Sequence, residues 1–98
     1  MALNTTTRGQ IVNALAILTR RRTSTTDPAE EAAIGEAIDL LNGHLQDLNQ
    51  AQLRQTTQIA AAAAGELEKV VAAARTGAFE PFVAEIQDVI AGLRTARA

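Results

Sequence analysis

The sequence predicts an all-α fold: a small helical bundle with a long central helix, or an antiparallel helical hairpin, completed by homo-oligomerisation. Three observations predict it. Alanine supplies 21 of the 98 residues; it is the strongest helix former, and Leu, Glu, Gln and Arg follow it closely. Tyr and Trp are absent and Phe79 and Phe82 are the only aromatic residues, which starves a sheet of the side chains it prefers. Large apolar residues recur at spacings of three and four, the period of one helix face. At this length the chain is a single helical domain, 1–98,.

The first helix is expected over about 7–22. Thr7-Arg8-Gly9-Gln10 has the Thr-x-x-Gln form of a capping box, in which each side chain satisfies an orphan backbone donor of the first turn,. Ile11, Leu15 and Leu18 then form one stripe, which Val12, Ala14, Ala16 and Ile17 widen to more than half the circumference. A helix so apolar is normally covered on more than one side. Arg20-Arg21-Arg22 closes it, and the polar run 23–26 reads as a loop,.

A second helix starts at Pro28. Asp27 is a good N-cap, proline fits the first helical position, and Glu30 gives an Asp-x-x-Glu box,. Ile34, Ile38, Leu41, Leu45 and Leu48 follow at spacings of 4, 3, 4 and 3, the seam of near-parallel helix packing. Neither Gly nor Pro occurs between Asn49 and Gln58. The seam continues through Gln52 and Gln55 and resumes at Ile59, Ala63, Leu67, Val70 and Ala74. The favoured reading is a long or bent helix over about 28–76, a rod of roughly 70 Å. The other is a break near Thr56-Thr57, where the residues are modest helix formers and the seam is polar. Within it, Ala60 to Ala64 and Gly65 offer small side chains against which another helix backbone could come close.

Gly77 is a natural helix stop in a turn over 77–79. Pro81 opens a last helix over about 81–95, with Phe82, Ile86, Val89, Ile90 and Leu93 on one face. Phe79 is positioned as a staple to that face, and Arg94 and Arg97 lie near its negative end.

The chemistry-bearing inventory is short. There is no cysteine, one histidine and one lysine, so nucleophilic catalysis lacks the base and orienting partner it needs. The glycines are scattered singly, so no phosphate-cradling loop exists. His44 and Asp47 are three apart on one helix, but two ligands do not make a metal site. They read as a solvated flank beside Leu45. Glu36/Asp39 and Glu85/Asp88 each share a helix face and lie off the apolar seams, again as solvated faces. No catalytic, cofactor or metal site is expected, and the chain is read as not an enzyme.

Charge is uneven: +4 over residues 1–26, −5 over 27–55 and −1 over 56–98, together the net −2. Three adjacent arginines at a helix end complement the helix dipole. They do not make a nucleic-acid footprint in an acidic chain without a basic stripe or stacking aromatics. No apolar run approaches the length of a membrane span, and the absence of cysteine fits a reducing cytoplasm.

Only 25 residues are large and apolar, a thin core for an isolated chain. The expectation is therefore that the helices carry more apolar surface than one chain covers, and that a two-fold homodimer with antiparallel central helices completes the fold. The expected interface is the seam Ile34, Ile38, Leu41, Leu45 and Leu48, with Ile11, Leu15 and Leu18 packing across it. The expected role is protein–protein interaction or structural assembly, as an adaptor, assembly component or chaperone-like partner. Two other readings remain open. One is an inhibitor of the immunity or antitoxin kind, covering a basic target with the acidic second helix. The other is a peripheral membrane binder using the cationic first helix.

Overall fold

The computed structural model describes residues 7–50, 53–74 and 81–95, with the side chains of residues 53 and 54 left out. Among these the protein is all-helical, with α1 Thr7–Ser24, α2 Pro28–Leu48, α3 Leu53–Ala74 and α4 Pro81–Thr95. It is compact, with a radius of gyration of 12.9 Å and a longest dimension of 39 Å. Gly77, Phe79 and Arg97, expected as stop, staple and terminal cation, lie outside the described residues.

α1 is described from Thr7 onward, and it runs two residues further than expected. The hydroxyls after the arginines explain the extension. Thr23 Oγ1 donates to the Arg20 carbonyl at 2.8 Å and Ser24 Oγ to the Arg21 carbonyl at 3.1 Å, satisfying acceptors that a helix end leaves without partners. The loop shrinks to residues 25–27. α1 is also less uniformly buried than its composition suggests. Ile11, Ala14 and Leu18 are enclosed, whereas Val12 is 51% exposed and Asn13 and Ala16 face outward.

At the start of α2, Asp27 accepts a hydrogen bond from the Ala29 amide at 3.0 Å, with Pro28 following it in the first turn. Glu30 does not complete the reciprocal box: its carboxylate is buried and paired with Arg21. In place of a single helix over 28–76 there are two, and the break expected near Thr56-Thr57 comes earlier, after Leu48, with both threonines inside α3. The chain leaves the helix at 49–50 without Gly or Pro. The Asn49 amide donates to the Gln46 carbonyl at 3.2 Å and the Gln50 amide to that of Asp47 at 3.1 Å. These three-residue bonds tighten the last turn and end the four-residue ladder. Arg8 Nη2, donating to Asn49 Oδ1 at 2.7 Å, ties that end to α1.

α1 packs on α2 and α4, α2 on α3, and α3 on α4, with a smaller contact between α1 and α3. α1 runs opposite to α4. Gln10, early in α1, lies against Gly92, late in α4, while Arg20 near the end of α1 meets Glu85 near the start of α4. α1 also runs opposite to α2, from the Arg8–Asn49 contact at one end to Arg21–Glu30 at the other. One core joins all four helices: Ile11 and Leu18 from α1, Ile34 and Leu41 from α2, Leu67 and Val70 from α3, Ile86 and Leu93 from α4. The alanines Ala60, Ala63 and Ala64 are buried. Gly65 is not part of a close helix approach, because a Cβ added there would meet nothing within 4 Å.

Candidate functional site

Of the eight residues expected at an interface, four lie in the interior of the chain and four are partly buried against it. Ile11, Leu18, Ile34 and Leu41 have no exposure at all, and Leu15, Ile38, Leu45 and Leu48 are partly buried against the same core. The spacing argument picked out the correct faces, but the helices of a single chain cover them. Among the described residues, the large apolar side chains left exposed are Val12 and Leu40, at 51% and 41%. Among the described residues, two isolated exposed side chains are ordinary for a protein surface.

The polar residues are brought together in ways that spacing did not reveal. The three arginines make three different contacts. Arg20 pairs with Glu85 across to α4 at 2.7 Å. Arg21 pairs with Glu30 on α2 and lies over the Phe82 ring of α4, 4.9 Å from its centre. The Arg22 guanidinium lies over Gly35, 3.6 Å from where a Cβ would stand. Arg94 likewise pairs with Glu68, joining α4 to α3. Glu85 is therefore half-buried and engaged, while Glu36, Asp39 and Asp88 stay exposed, as solvated faces.

His44 is not a solvated flank residue. It is largely buried, and its Nε2 lies 2.9 Å and 3.1 Å from the two carboxylate oxygens of Glu66 on α3. Asp47, its expected neighbour, is exposed. The partner is 22 residues away in sequence, so helix periodicity alone held no signal for it. Among the described residues, no group of three or more His, Asp or Glu side chains is arranged to hold a metal ion.

His44 of this pair borders a surface cleft. Between the last turns of α2 and the first turns of α3 lies an open cleft of about 640 Å3. Its α2 side is His44, Gln46, Asp47 and Gln50; its α3 side is Gln55, Gln58, Ile59 and Ala62. The cleft exists because α2 ends at Leu48 and α3 returns alongside it; a continuous helix would present the same residues as one polar strip. The sequence did carry a signal, an accumulation of glutamine at 46, 50, 52, 55 and 58. Without the turn it reads only as a polar interruption of the seam.

Chemically, the cleft offers carboxamides that both donate and accept hydrogen bonds, beside the apolar side chains of Ile59 and Ala62,. The one imidazole is already held by a carboxylate. Gln55, Thr56 and Thr57 are hydrogen-bonded or otherwise engaged.

The protein is thus a compact all-helical chain with a polar, amide-walled cleft. Compared with family models, curated proteins and solved structures, it has no match. No helix among the described residues is long and apolar enough to cross a membrane.

Proposed function

We propose that this protein is a non-enzymatic binding protein, an adaptor or assembly component, and that it contacts another polypeptide through the α2–α3 cleft. The observation that carries this reading is the cleft's lining: side-chain amides from two helices around Ile59 and Ala62, with its single imidazole engaged by Glu66. Such walls recognise groups that present donors and acceptors together, as a polypeptide backbone does. The reading does not require a second copy of this chain, because its own helices cover its core.

A displayed library of random peptides, selected on the wild-type protein and counter-selected on Ala62→Arg, tests it. Ala62 is exposed on α3, so the arginine fills the cleft without entering the core. Enrichment of peptides that bind wild type and not the variant is the expected result. Enrichment no greater than on an unrelated helical protein, or binding indifferent to the variant, overturns the reading.

A further inference from the structure

We infer that the protein exchanges halves with a second copy of itself. In the exchanged dimer α2 runs on into α3 as one helix, and the α3–α4 hairpin of each chain packs on the α1–α2 hairpin of the other.

The division of contacts permits this. α1 packs on α2, tied by Arg8–Asn49 and Arg21–Glu30, and α3 packs on α4, tied by Arg94–Glu68. These two hairpins meet where α2 lies on α3 and where α1 lies on α4 and α3. Arg20–Glu85, His44–Glu66 and Arg21 over Phe82 all pass between the halves. Such contacts depend on the halves meeting, not on their belonging to one chain. A half pulled away from its own partner uncovers Ile11, Leu18, Ile34 and Leu41, and the surface shaped to cover them is the α3–α4 hairpin of another copy.

The link between the halves is close to helix already. Asn49 has helical backbone angles, φ −63° and ψ −24°. The reversal is marked by three-residue bonds from the Asn49 and Gln50 amides, and exchanging these for four-residue bonds continues α2. From Asn49 to Gln58 the sequence holds neither Gly nor Pro, and Leu48 and Ile59, eleven residues apart, keep the two apolar seams in one register,.

The His44–Glu66 contact also fixes a symmetry. Each residue stands eleven positions from Gln55. Two continuous helices packed antiparallel through this contact make it twice, with the two-fold axis at Gln55. A glutamine on that axis faces its own copy, and a carboxamide both donates and accepts, so it is complementary to itself.

Joined halves meet at an effective concentration of about 1 mM, so the closed chain prevails in dilute solution and exchange calls for refolding among crowded copies. The test refolds the full chain from urea at about 1 mM and at about a hundredfold less, and weighs the products by light scattering after size exclusion. A species of twice the 10.3 kDa chain mass, formed at the higher concentration, is the expected result. Refolding labelled with unlabelled chains should then give NOEs between His44 of one chain and Glu66 of the other. Asn49→Ala, a better helix former at an exposed site, should raise the dimer-to-monomer ratio by about threefold or more. Three glycines inserted after Gln50 should lower it, since they disfavour the helix and ease the reversal. A chain that is monomeric after both refoldings overturns the inference. So does a dimer whose 44–66 contacts stay within each chain, or one indifferent to both changes at the link.

Discussion

Arg21 Nε donates to Glu30 Oε1 at 2.5 Å and its Nη2 to Oε2 at 3.3 Å, so the last turn of α1 grips the first turn of α2 at two points. Phe82 of α4 lies against the same guanidinium, so three helices meet at one charged pair. The two partners are unequally buried, the Arg21 side chain being 18% exposed and that of Glu30 1%.

That inequality predicts an asymmetric pair of mutants. Arg21→Met leaves a carboxylate in the interior without its cation, and is expected to cost about 3–5 kcal/mol. Glu30→Gln leaves an arginine that keeps some contact with water and its place over Phe82, and should cost less. Urea denaturation of both variants checks the order; equal losses would mean that Glu30 reaches solvent in the folded state.

Leu40 and Leu41 are adjacent in sequence and opposite in environment, 41% and 0% exposed. Leu41→Asp is expected to unfold the protein, since a charge cannot be hydrated where that side chain lies. Leu40→Asp should change stability by no more than about 0.5 kcal/mol. Thermal melts followed by circular dichroism separate them, and two similar melts would show the register of α2 to be wrong.

Gly43 and Gly65 have nothing within 4 Å of a would-be Cβ. Gly43→Ala and Gly65→Ala should each stabilise by about 0.5–1 kcal/mol, the helical advantage of alanine. At Gly92 a Cβ would come 2.6 Å from Gln10 Nε2, so part of that gain is offset by displacing the carboxamide. The gain at Gly92→Ala should therefore be larger in a Gln10→Ala background than in wild type, a coupling that a double-mutant cycle measures.

A helix over 28–76 would be roughly 70 Å long, whereas the longest dimension of the folded chain is 39 Å. Small-angle X-ray scattering at low concentration is expected to give a radius of gyration near the 12.9 Å of the Cα trace, close to the roughly 13 Å usual for a compact 100-residue chain. A rod-like profile with a maximum dimension near 70 Å would refute separate α2 and α3.

The start of α2 was legible because it is written in a few neighbouring residues. The Asp27 carboxylate that caps it and the proline that needs no amide partner act locally. The cleft was not legible, because its walls come from two stretches whose adjacency depends on a turn. Its described residues, Asn49 and Gln50, carry two backbone hydrogen bonds and the Arg8 contact, and the sequence there holds no glycine or proline to mark it.

By itself, then, the amino-acid sequence determined that the chain is helical and that Ile11, Leu18, Ile34 and Leu41 occupy inward faces, since propensity and period are properties of consecutive residues. Only the tertiary structure decided what those faces meet. It folded α3 back on α2 instead of extending it, closed the core within one chain, and joined Arg21 to Glu30 and His44 to Glu66. Such pairings turn on where the chain reverses, and for helices with similar apolar stripes the energy of each reversal depends on contacts between distant residues.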